Sequence, residues 1–103
     1  MAPKHANAPT VLTDAQIAPV TAMLKAMANE SRLRILRSLL EGEQSVTQIN
    51  RRLGLSQSAL SQHLAVLRHE KLVETRRSAQ TIYYSLHRES ARRVLATLAE
   101  LDL

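Results

Sequence analysis

The chain has 103 residues, a formal net charge of +5 with histidine neutral, 45% hydrophobic and 22% charged residues, a balance that excludes wholesale disorder and allows one core of modest size. With no cysteine, disulfides, thiolate metal sites and thiol redox switches are excluded; no apolar run approaches a membrane span or the core of a signal peptide, so a cytoplasmic protein is expected. The aromatic residues are Tyr83 and Tyr84 alone, so the core is built from Leu, Ile, Val, Met and Ala, which suits helices and a fold completed by dimerisation.

Residues 1–12, with Pro3 and Pro9, read as a disordered arm, and residues 13–103 as the folded domain. Thr13 or Asp14 caps a first helix reaching about Met27, with Pro19 in or near its first turn. Ile17, Val20, Met23, Leu24 and Met27 cover more than one stripe of it, more apolar surface than one protomer can bury. Asn29 caps a second helix, Glu30 to Leu40, with Leu33, Ile35, Leu36 and Leu40 facing inward; Gly42 ends it. Ser45-Val46-Thr47-Gln48 spells a capping box for a short third helix that buries Val46, Ile49 and Leu53 and stops at Gly54.

Ser56 then caps a fourth helix, Ser56 to His69, reading SQSALSQHLAVLRH. Leu60, Leu64 and Leu67 fall at i, i+4 and i+7 and make an apolar stripe. Ser58, Ser61, Gln62 and Ala65 repeat with the same period on the opposite side, where an ordinary solvated helix would carry Lys and Glu. Short uncharged donors and acceptors suit base edges, because a helix in the major groove brings its backbone close. Two helices joined by a Gly-containing turn, the second with such a face, form a helix-turn-helix. Gln57, Ser58, Ser61, Gln62 and His63 are the candidates for base readout, with His63 at the edge of the apolar stripe.

After Lys71 the period changes to two. Val73 and Thr75 alternate with Glu74 and Arg76, and Ile82, Tyr84 and Leu86 alternate with Tyr83 and Ser85. A two-stranded hairpin is expected, leaning on the helices through Val73, Ile82, Tyr84 and Leu86. Its turn, Arg77-Ser78-Ala79-Gln80, has neither Gly nor Pro, so a loop longer than two residues is expected. Between residues 51 and 77 six Lys and Arg face only two Glu, a clustering that phosphate neutralisation explains. Ser56, Arg51, Arg52, Arg68, Arg76, Arg77 and Gln80 are the backbone and wing candidates. A last helix from about Arg88 to Leu101 carries Ala91, Val94, Leu95, Leu98 and Leu101. A twofold interface is expected through Ile17, Val20, Leu24, Val94, Leu95, Leu98 and Leu101.

No catalytic constellation emerges: there are two glycines, no cysteine nucleophile, and Ser61 and His63 stand at i, i+2, pointing apart. His87 with Glu89, Glu100 and Asp102 makes a poor transition-metal set. Neither an enzyme nor a bound metal or cofactor is expected.

Leu24 to Leu40, Leu55 to Arg68 and Leu72 to Leu86, in this order of elements, resemble the ArsR/SmtB family of bacterial winged-helix regulators, and within it the HlyU/BigR branch. The resemblance spans roughly residues 17–103. It implies a mainly α fold with a small β-hairpin, dimerising through its first and last helices. It also implies a homodimer on an imperfect palindromic operator in double-stranded DNA, acting as a repressor or in competition with another DNA-binding protein. Metal-sensing members carry a cysteine pair where this chain has Ser45-Val46-Thr47, and sulfur-sensing members have cysteines where it has Arg37 and Leu103. Neither switch carries over, and no effector is named by the residues. Two other readings stay open: an anti-silencer that displaces a nucleoid protein, and a winged helix that binds a protein partner.

Overall fold

A computed structural model describes residues 11–103; the arm expected over residues 1–12 lies mostly outside the described residues. Five helices and a small antiparallel sheet follow in the order α1 (Asp14–Met27), α2 (Glu30–Leu39), β1 (Gln44–Ser45), α3 (Val46–Leu53), α4 (Gln57–His69), β2 (Val73–Ser78), β3 (Thr81–Leu86) and α5 (Glu89–Glu100). This is a winged helix-turn-helix. No helix among the described residues is long and apolar enough to cross a membrane.

Several boundaries have a local cause. Thr13 donates its backbone N–H to Gln16 Oε1 at 2.9 Å at the start of α1. Pro19 sits in the second turn of α1, deeper than expected. It leaves the Ala15 carbonyl without its helical donor, at a position exposed to solvent. Asn29 Oδ1 accepts from Arg32 N–H at 3.1 Å to cap α2, and Ser45 and Gln48 close the expected box reciprocally at 3.2 and 2.8 Å. Gly54 takes the left-handed conformation that ends α3. At the end of α4 the left-handed residue is Lys71, φ 59°. There Leu72 N–H reaches the Leu67 carbonyl and Lys71 N–H the Arg68 carbonyl, each at 2.9 Å, reversing the chain into β2.

Ile35, Leu36, Leu39, Ile49, Leu67, Leu72 and Val73 are the fully buried large side chains, joined by Leu60, Leu64, Leu86, Met27 and Ala91. Burying each Leu or Ile contributes about 1.5–3 kcal/mol. Leu39, not Leu40, points inward from α2: the inward stripe runs Ile35, Leu36, Leu39, and the extra step of about 100° carries Leu40 out to solvent.

The sheet has a third strand that period alone did not predict, in the order β1-β3-β2. Gln44 pairs with Tyr84 and Ser45 with Tyr83; Ser45 thus ends a strand and caps a helix at once. The wing turn is tighter than expected. Ser78 pairs with Thr81, leaving Ala79-Gln80 as a two-residue loop. Ala79 there adopts φ 55°, the positive φ such hairpins require at that position, at a modest cost for a non-glycine residue.

One polar clamp fixes the helix-turn-helix angle. Asn50 Nδ2 donates to the Leu55 carbonyl at 2.8 Å while Leu55 N–H donates to Asn50 Oδ1 at 2.9 Å. Asn50→Ala is expected to strand both backbone groups of a half-buried turn and cost about 1–3 kcal/mol in urea denaturation. A loss well below that range would mean that water replaces the clamp at no cost.

Candidate nucleic-acid interface

Helix α4 divides cleanly. Leu60, Leu64 and Leu67 are buried, while Gln57, Ser58, Ser61, Gln62 and Ala65 are exposed on the other side. Two hollows flank the exposed stripe. One, toward α3, is lined by Thr47, Arg51 and Gln57 among others; the second, toward the wing, by Ser61, Ala65, Arg68 and Tyr84. Arg51 therefore borders the same surface as Gln57, and Arg68 borders it from the wing side. Thr47, exposed beside Gln57, escaped the sequence reading because one hydroxyl in a short helix gives no pattern. Ser56 Oγ accepts from Ala59 N–H at 3.1 Å as the helix cap, leaving its hydroxyl proton at the positive end of α4, where a phosphate oxygen is favoured.

Four candidates lie elsewhere than expected. His63 is half-buried with Nδ1 3.4 Å from Arg32 Nη1, so it braces α4 and is drawn away from the exposed stripe. Arg32 also donates to the Ala26 and Lys25 carbonyls, tying the end of α1 to α2 and α4. Arg52 turns away to Glu41 at 3.0 Å, because successive residues of α3 point about 100° apart.

The third is Arg76. Strand periodicity puts Arg76 and Arg77 on opposite faces of the wing. Arg77, opposite Ile82, shares the face of Thr75 and Val73; Arg76, opposite Tyr83, lies on the outer face. Arg76 crosses the Tyr83 ring at 4.8 Å and donates to both Glu43 oxygens, at 3.0 and 2.6 Å. Those hydrogen bonds hold the Glu43 carboxyl below its ordinary range against a desolvation cost, and raise Arg76. Since the Glu43 pKa is depressed, the pair persists above the ordinary carboxylate pKa and is lost as pH falls through the lowered value. Glu43→Ala is expected to free Arg76, tighten binding to random duplex and steepen its salt slope by about 0.9 per protomer. An unchanged slope would show that Arg76 faces away from DNA.

The fourth is Leu95. It turns inward at 9% exposure beside the fully buried Ala91, whereas Leu98 and Leu101 are exposed on the outer side of α5 and Val94, half-buried, also packs against the core. Ile17 and Leu24 of α1 are also about half exposed. Ile82, expected to lean on the helices, is 39% exposed near the wing tip, where the sheet has run beyond the core. Gln80 sits exposed in the turn. His87 Nδ1 faces the Glu74 carboxylate at 2.8 Å, and among the described residues no three His, Asp or Glu side chains converge.

An uncharged helix face beside arginines, on a winged helix-turn-helix, defines a DNA-binding transcriptional regulator. Residues 29–75 match the bacterial regulatory protein, arsR family, and over 84 residues the chain is 51% identical to the transcriptional activator HlyU of Vibrio cholerae, covering 82% of this chain and 78% of that protein. The chain belongs to the ArsR family. Its structure is similar to HlyU from Vibrio cholerae N16961 at a TM-score of 0.80 and 49% identity, over 84% of this chain and 94% of that one. It is also similar to a homodimeric winged helix-turn-helix DNA-binding domain from Mycobacterium bovis, with a TM-score of 0.76 and 32% identity over 88% and 87% of the two chains. The biofilm growth-associated repressor of Agrobacterium fabrum is 39% identical over 79 residues, 77% of this chain and 68% of that protein.

Proposed function

We propose that two copies of this chain bind an imperfect palindromic operator and repress the adjoining promoter. The observation that carries the reading is the exposed face of Gln57, Ser58, Ser61, Gln62 and Ala65, uncharged and set between Arg51 and Arg68. In the bound dimer, Gln57, Ser58, Ser61 and Gln62 read base edges, and Ser56, Arg51, Arg68, Arg77 and Gln80 hold phosphates. Exposed Ile17, Leu24, Leu98 and Leu101, with half-buried Val20 and Val94, supply the twofold seam, and the homodimeric relative from Mycobacterium bovis supports it. The role is cytoplasmic and non-enzymatic, and needs no cofactor.

An anti-silencer would use the same contacts, and the name of HlyU as an activator favours keeping that reading second. Titrating the protein's own promoter region and a random duplex tests the proposal. Selective binding to the promoter is expected, with affinity falling roughly 10³- to 10⁵-fold between about 50 and 200 mM salt if six to ten phosphates are held. Equal affinity for both duplexes would overturn it, and would leave the partner-binding winged helix as the better account.

A further inference from the structure

A hollow of about 380 Å³ lies between α2 and α3, apart from every residue given to DNA or to the dimer seam. Its apolar lining is Leu40, Ile49 and Leu53. Leu40 is 40% exposed there, while the adjacent Leu39 and, one turn back, Leu36 are fully buried. Arg34, Arg37 and Arg52 stand around it against one carboxylate, Glu41. Arg34 is held by Glu30 at 2.9 Å and Arg52 by Glu41 at 3.0 Å. Arg37 makes no ion pair or side-chain hydrogen bond among the described residues.

We infer that this hollow binds a compact amphipathic carboxylate, its head on Arg37, the unpaired guanidinium at the rim, and its tail over Leu40 and Leu53. The guanidinium fork matches a carboxylate in a way a point cation does not. The tail removes from water the apolar surface that Leu40 leaves exposed. The volume is at the small end for ligand sites, which selects a medium-length chain or a single ring over a long acyl chain or a nucleotide. A small inorganic anion satisfies Arg37 and leaves the apolar lining wet.

The site has a route to DNA, and this consequence rests on the operator-binding reading. Arg52 and Leu53 end α3, and after Gly54 the chain enters α4 within three residues. A molecule gripping α2 and α3 together favours one setting of α3, and through the Asn50 clamp one setting of α4.

Two-dimensional amide NMR with sodium octanoate at millimolar concentration tests the site. Shifts are expected to concentrate on residues 34–41 and 49–53. Acetate, a head without a tail, and octanol, a tail without a head, should each bind at least about tenfold more weakly, a difference of about 1.4 kcal/mol. Arg37→Gln and Leu40→Asn, both exposed and outside the DNA face, should weaken octanoate similarly. Octanoate shifts confined to α1 and α5, or matched by acetate or octanol, would overturn the site. A parallel promoter titration should show octanoate changing affinity several-fold in the wild type and not in Arg37→Gln. Octanoate binding without that change keeps the site and removes the coupling. Loss of sequence preference in the absence of octanoate counts against the operator reading alone, because the NMR result decides the site independently.

Discussion

Replacing Leu24 and Leu98 together by glutamate is expected to leave a folded monomer that no longer holds a palindromic duplex. Leu24 is 51% exposed and Leu98 40%, and neither belongs to the buried cluster that holds α1 and α5 on the protomer. Each protomer therefore loses little by the change. In a twofold seam the same glutamates meet apolar surface, and burying an unpaired carboxylate costs several kcal/mol apiece. Once the heads separate, the second half-site must be filled from solution, and the loss of avidity is about 10²- to 10⁴-fold. Sedimentation velocity and circular dichroism report mass and fold, and a palindrome compared with a single half-site reports avidity. A persistent dimer, or an unchanged preference for the palindrome, would place the seam elsewhere.

The second large effect concerns Gln62. Its side chain is exposed on α4 and makes no hydrogen bond among the described residues, so Gln62→Ala should fold normally and bind random duplex unchanged. Discrimination at the base pair it reads should fall by about 1–3 kcal/mol, roughly 5- to 150-fold. Arg77→Ala is the contrast: it should weaken all sequences alike and reduce the salt slope by about 1 per protomer. Competition binding with single-base operator variants separates the two. A specific-to-random ratio untouched by Gln62→Ala would remove that residue from the reading set.

Features carried by a long, regular period were legible in the sequence. The buried stripe Leu60, Leu64 and Leu67, the uncharged stripe opposite, and the caps at Asn29, Ser45 and Ser56 needed only local chemistry. What stayed hidden depends on contacts across the chain. Glu43 and Arg76 are 33 residues apart, so nothing local marked Arg76 as already occupied. Nothing local marks Asn50 either, because its partner Leu55 meets it only once the turn has formed. Strand β1 has two residues, too few to show any period. Leu39 and Leu40 are adjacent leucines, and only the packing against α3 and α4 decides which goes inward. Arg51 and Arg52 part for the same reason: one helical step separates the side shared with Gln57 from the hollow beside α2. Leu95 read as interface because α5 carries two apolar stripes, and a stripe does not say which neighbour it meets.

Operator binding by a dimer meets its sharpest test in the selection of bound duplexes from a random library at moderate salt with the purified chain. It predicts enrichment of one imperfect palindrome, its half-sites about 10 base pairs apart or a multiple of that spacing, bound by a dimer. Recovery of unrelated sequences, or of lone half-sites bound by a monomer, would contradict it.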